Sequence, residues 1–285
     1  MTIIAFQPGG GGVKSSHGKG FRSFIVRVTQ AATPSFAAFT LAEVLITLGI
    51  IGVVAAMTLP TLIQNHKKNV NLNLLKQTYS QITNAVELVS AEFDTLPMNK
   101  WSCNEGWAEG QYNQENCFYL AMEKIAAKMY PSADDAKHAF CYEGKDYTPH
   151  QFLKGGEFLP MAYSWSAQMP NGACVLWHAH AWNGDYNGTL FIDVDGPYKG
   201  YNTAGKDLFL FMYASGARGL GPNGRTIYPY GFGIENYTGE PVVVTSPTVN
   251  GMKGSINGCS KDGLGRYCAG LIFLSGWTMP KDYPW

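Results

Sequence analysis

Three aspartates sit at short spacing around a glycine-rich turn: Asp193, Asp195 and Asp207, with Asp185 upstream. Carboxylates and turn carbonyls are the oxygen ligands that calcium prefers, so calcium is the cofactor this pattern allows. The spacing is not that of an EF-hand, and DVDGP at 193–197 also reads as an ordinary turn in which aspartate bonds its own backbone. His178 and His180 lie two apart and share one face of a strand, as a zinc site requires. A third ligand at clear spacing does not follow, which leaves them as strand histidines. Tryptophans 101, 107, 165, 177, 182, 277 and 285 suit core and rim packing better than a sugar-binding surface. GxSxG, HExxH and GxxxxGK[ST] signatures do not occur in the sequence, and the reading is of a protein that is not an enzyme.

The most unusual titratable residue lies elsewhere. From Phe39 to Ile63 the chain is largely apolar, and Glu43 is its one ionisable side chain. About 20 residues suffice to cross a bilayer. A charge at the centre of such a helix costs roughly 2.5–3.5 kcal/mol, less near its end, and is normally paired. Cleavage between Ala38 and Phe39 would create an α-amino group at the membrane edge. The Glu43 carboxylate of one chain would then have the Phe39 amine of a neighbour as partner. A plain signal anchor, or a secretory signal peptide cut after Ala56, needs no such charge.

These residues carry a family resemblance. FTLAEVLITLGIIG resembles the processing and assembly segment of type IV pilins and type II secretion pseudopilins. A small residue, Ala38, precedes the cut where the family usually has glycine. Phe39 would become the mature N-terminus, with Glu43 the fifth residue of the mature chain, Gly52 inside the helix and Pro60 the twenty-second. The resemblance implies a prepilin peptidase that cleaves after Ala38 and N-methylates Phe39, with Glu43 as the assembly residue. It implies identical or related subunits in a helical filament and an inner-membrane assembly platform as partners.

Charge placement agrees with that orientation. Residues 1–38 hold Lys14, Lys19, Arg22 and Arg27 and no acid; setting these four aside turns 21 basic and 21 acidic residues into 17 and 21. A basic, acid-free N-terminus before an apolar run is leader-like and stays cytoplasmic. The expected organisation is a leader over 1–38, an assembly helix over 39–94, and an extracytoplasmic globular domain over 95–285. The chain then sits in the inner membrane by one span, and as part of a filament when assembled. No basic excess argues for nucleic acid. The alternative function is a membrane-anchored extracytoplasmic enzyme or metal- or ligand-binding domain.

The elements that position these groups follow from periodicity. Leu72, Leu75, Tyr79, Ile82, Val86, Val89 and Phe93 recur at alternating steps of three and four, an amphipathic helical stripe. Three heptads with little flanking charge pairing favour docking on a sheet over a coiled coil. With Pro60 as a kink, 39–94 reads as one helix of roughly 80 Å, at 1.5 Å per residue. His66, Lys67 and Lys68 after the span read as a solvated helix face, with lipid head-group contact as the other reading. Residues 116–130 read as a short helix and 131–160 as mixed loop.

CVLWHAHAW at Cys174, TLFIDVDG at Thr189 and DLFLFMYA at Asp207 read as antiparallel strands of a meander. The stretch from Thr189 to Phe211 also resembles the sheet segment of many pseudopilin-like chains, where an Asp- and Gly-rich turn joins two strands. Residues 216–251 are turn-rich without a clear pattern, and the C-terminus reads as a disulfide loop, an apolar segment and an aromatic tail. Cys103, Cys117, Cys141, Cys174, Cys259 and Cys268 all follow the apolar run, so an exported domain would pair them. Six cysteines allow about 15 pairings; short loops favour Cys103–Cys117 and Cys259–Cys268, leaving Cys141–Cys174. The expected fold is α+β: a long kinked N-terminal helix packed on a small antiparallel sheet with disulfide-bonded loops.

Overall fold

The computed structural model describes residues 40–93, 114–130, 141, 149–157, 165–182, 185–214, 226–232 and 248–285. The chain divides into two compact units, residues 1–54 and 55–285. Helix α1 (Leu41–Glu92) runs through Pro60 without ending there.

In the first unit every described residue is exposed. Leu41, Leu45, Ile46, Leu48, Ile50 and Ile51 are all exposed. Gly49 and Gly52 have open space where a Cβ would be. This is the one helix among the described residues long and apolar enough to cross a membrane.

In the second unit the remainder of α1 changes character. Met57, Leu59, Leu62 and Ile63 are still exposed. From Asn71 onward one stripe is buried, including Leu72, Leu75, Tyr79, Ile82, Val86 and Val89, and Phe93 packs at its edge. The stripe docks on a sheet, as its shortness implied.

That sheet is a six-stranded antiparallel meander in chain order. Its strands are β1 (Lys128–Tyr130), β2 (Trp165–Gln168), β3 (Cys174–Trp182), β4 (Asp185–Asp193), β5 (Leu208–Ala214) and β6 (Ile227–Pro229). Register places Trp177 opposite Leu190 and Leu190 opposite Phe211; one step along, Val175, Ile192 and Phe209 align. Because successive side chains alternate faces, these rows face α1, α2 (Gln114–Glu123) and α4 (Cys268–Leu274). Tyr79 of α1 ties the layers: its ring lies 5.3 Å from Phe211 and 4.8 Å from Trp277. Its hydroxyl donates to the Ile227 carbonyl at 3.0 Å. Phe118 of α2 meets Trp177 at 5.4 Å and stacks on Tyr213 at 4.8 Å. Tyr213 lies over Gly188, its partner on β4, where any added Cβ would overlap the ring.

The other face buries Leu176, Phe191, Leu208 and Leu210 beside the Cys141–Cys174 disulfide. A second disulfide, Cys259–Cys268, closes the loop before α4. Cys259–Cys268 is a pair that short loops favoured and Cys141–Cys174 the pair left over; Cys103 of the third expected pair lies outside the described residues.

One expectation is corrected, and two stretches without an assigned element receive one. The helix expected over 116–130 ends at Glu123, and residues 128–130 form β1, because pairing with β2 overrides a short helical pattern. The patternless 216–251 stretch contains β6 and the start of α3 (Val249–Gly254). The apolar C-terminal segment is helix α4.

Candidate functional site

Two groups of side chains carry the chemistry anticipated from sequence. The first is at the start of α1. Thr40 and Glu43 form a reciprocal cap: the Glu43 carboxylate accepts from the Thr40 backbone N–H at 2.8 Å and from its hydroxyl at 2.7 Å. The Glu43 backbone N–H donates to the Thr40 hydroxyl oxygen at 3.2 Å. This is a capping box, which satisfies orphan donors of the first turn. The T-x-x-E spacing at 40–43 is its sequence signal. Gly52 and Pro60 both lie within α1, while Ala38 and Phe39 lie outside the described residues.

The second group surrounds the β4–β5 connection. Asp193 ends β4 and pairs with Leu208, which starts β5, so Asp207 is brought beside Asp193 across a loop of residues 194–207. The Val194 N–H donates to the Asp207 carbonyl at 2.9 Å. Asp207 organises the loop: its carboxylate accepts from the backbone N–H groups of Tyr201, Asn202 and Thr203. Asp193 accepts from the Gly196 N–H at 3.0 Å and lies 2.9 Å from His150 Nε2. Both His150 and Asp193 are fully buried. Asp195 completes the cluster, and Gly200, at φ +73°, folds so close to Asp195 and Asp207 that a Cβ would collide with both carboxylates. His150 carries no local pattern that sequence reasoning could use; only the fold reveals it.

Burying these carboxylates raises their proton affinity. Burial, then the neighbouring Asp195 charge, lifts Asp193 well above the usual carboxylate range. Burial also raises Asp195. Burial and the Asp193 charge push Asp207 up to about 7. Burial drives His150 down to about 4, so it is neutral at pH 7.

Calcium takes six to eight oxygen ligands. Here both Asp207 oxygens hold backbone N–H groups, and the Asp193 oxygens serve Gly196 and His150. Among the described residues, no group of three or more His, Cys, Asp or Glu is arranged to hold a metal ion. The three aspartates meet as the sequence suggested; as arranged, the Asp193 and Asp207 oxygens are turned to protein donors, while Asp195 Oδ1 is buried without a partner. His178 lies on β3 opposite Thr189 and His180 opposite Asn187. Trp177 is fully buried, and Trp165, Trp277 and Trp285 pack on the core.

Residues 61–285 match the model of a protein family described as "Family of unknown function (DUF6613)". The chain belongs to this family. The DUF6613 match starts within α1, just beyond Pro60, and covers the sheet, both disulfides and the acidic loop. No curated protein and no solved structure matches the chain.

Proposed function

We propose that this DUF6613 member is a structural subunit of pilin or pseudopilin type. A prepilin peptidase would cleave it at Ala38–Phe39. The subunit would then polymerise through α1 into a type IV pilus or a type II secretion pseudopilus. The observation that carries the reading is the division of α1: an exposed apolar half that starts at Glu43, and a half whose buried stripe docks on a disulfide-bonded sheet. An apolar helix face left bare needs a lipid or protein partner. In this reading the bare half is membrane span before assembly and filament core after it. The Glu43 carboxylate exchanges its Thr40 cap for the Phe39 amine of a neighbouring subunit. Extrusion would draw on a separate ATPase, since the sequence holds no nucleotide-binding motif.

The rival is a membrane-anchored extracytoplasmic domain, and the Thr40–Glu43 cap favours it by giving Glu43 a local role. Glu43→Gln separates the two. Glutamine preserves an oxygen acceptor at this position of a capping box, but removes the charge. In the native host, the subunit reading expects stable, membrane-inserted Glu43→Gln and Glu43→Val proteins, N-methylated at Phe39, that fail to enter filaments. Wild-type protein starting at Met57, or retaining Met1, rules the subunit reading out.

A further inference from the structure

Three separate chain segments of the second unit meet one turn beyond the exposed apolar stretch of α1. Lys67 Nζ lies 5.2 Å and Lys206 Nζ 5.0 Å from the centroid of the Tyr201 ring. Lys68 Nζ lies 5.5 Å from that of Tyr283. These are cation–π distances. The Tyr201 and Trp285 rings meet edge to face at 6.3 Å.

The arrangement is built rather than incidental. The Asn71 side-chain amide donates to the Lys206 carbonyl at 3.2 Å, tying the 200–206 loop to α1. The buried Tyr283 hydroxyl donates to the Gly205 carbonyl, tying the C-terminal tail to the same loop. Tyr201 nevertheless remains 40% exposed, and Lys67 and Lys199 are exposed beside it.

These lysines differ from others on the surface. Lys124 pairs with Glu92 and Lys253 with Asp282, each at 2.6 Å. Among the described residues, Lys67, Lys68, Lys199 and Lys206 form no ion pair. Asp195 is near enough to feel the charges of Lys67 and Lys199, but it is shared with the buried cluster. The patch therefore offers ammonium groups held over rings, with amphipathic Tyr and Trp among them. Lysines next to a span bind anionic head groups, and Tyr and Trp settle at the depth where head groups meet acyl chains.

We propose that Lys67, Lys68, Lys206, Tyr201 and Trp285 form a docking surface for an anionic bilayer, seating the folded unit against the membrane that α1 enters. The position argues for this occupant: Lys67 follows Ile63, the last exposed apolar residue of the run, by four residues, about 6 Å along a helix axis. This inference rests on the reading of α1 as a membrane span.

The test uses the full chain in nanodiscs, which leave both faces open to solvent. One set is phosphatidylcholine alone, and the other contains phosphatidylglycerol. A water-soluble lysine acylating reagent is applied, and modification is mapped by peptide mass spectrometry, with exposed Lys261 as reference. Acylation of Lys67, Lys68 and Lys206 is expected to slow about fivefold in the phosphatidylglycerol discs relative to neutral ones, and to recover in high salt. Equal rates in both discs, whether fast or slow, overturn the docking surface and leave the span intact; slow rates in both would mean that a protein covers the patch. A chain that enters neither disc removes the span, and the docking surface with it.

Discussion

His150 Nε2 lies 2.9 Å from the Asp193 carboxylate, and neither side chain is exposed. A histidine and an aspartate so placed would ordinarily form an ion pair. Here burial disfavours both charges, lowering His150 and raising Asp193, so the two meet as hydrogen-bonded groups instead of an ion pair.

Stability should depend on pH accordingly. Asp207 has a folded pKa of about 7, and Asp193 and Asp195 are also raised; unfolded carboxyls titrate near about 4. A raised pKa means that the folded state holds its proton more tightly, so the contribution is present at low pH and lost as pH rises through the folded value. His150, depressed to about 4, contributes in the opposite sense: stability present above about 6.5 and lost as pH falls. Between pH 6.5 and 8 only the carboxyl effect changes. The melting temperature should fall across that window in scanning calorimetry. Asp207→Asn should be less stable throughout, because an amide NH2 group replaces one of the two oxygens that accept from backbone N–H groups, but its decline with pH should be shallower. A melting temperature that is flat or rising from pH 6.5 to 8 contradicts this account.

Calcium should leave the melting temperature unchanged at neutral pH. The oxygens of Asp193 and Asp207 are committed to backbone N–H groups of Gly196, Tyr201, Asn202 and Thr203 and to His150, which leaves Asp195 Oδ1 alone without a partner. A thermal shift of several degrees with calcium, absent with magnesium, would show that the 194–207 loop opens to release them.

The two halves of α1 should respond differently to truncation. Leu75 is fully buried, and Leu75→Ala should cost about 2–5 kcal/mol in chemical denaturation monitored by tryptophan fluorescence. Leu48 is 60% exposed, and Leu48→Ala should change that transition by less than about 0.5 kcal/mol. Equal losses at both sites would show that the first half also packs on the folded unit.

Removing the disulfides should rank by loop length. Cys141–Cys174 spans 33 residues and Cys259–Cys268 spans 9. Loop-closure entropy gives about 4 kcal/mol for the former and about 3 kcal/mol for the latter. Paired Cys→Ala variants should lose stability in that order when compared under one denaturant. The reverse order would mean that packing around Cys259 and Cys268, both buried, outweighs chain entropy.

Much of this architecture is written locally. The docked stripe of α1 was legible because a 3.6-residue period repeats over three heptads. Strands β3, β4 and β5 were legible as apolar runs separated by glycine-rich turns. Strands β1 and β6, three residues each, are too short to show a period, and pairing with a neighbour defines them. The capping role of Glu43 was present as T-x-x-E spacing, but it was masked by the more unusual feature of a charge in an apolar run.

By itself, then, the sequence determined which segments are helix and strand in the long elements, which stripe of α1 is buried, and that Glu43 stands apart from its apolar surroundings. Each of these depends on neighbours within a few residues. Tertiary structure alone decided the partners. It brought His150 to Asp193, turned the Asp207 carboxylate onto three backbone N–H groups, and gathered Lys67, Tyr201 and Trp285 from segments more than 80 residues apart. Hydrogen bonding and cation–π contact act over a few ångströms in space, so they follow from how the chain packs and leave no periodic trace along it.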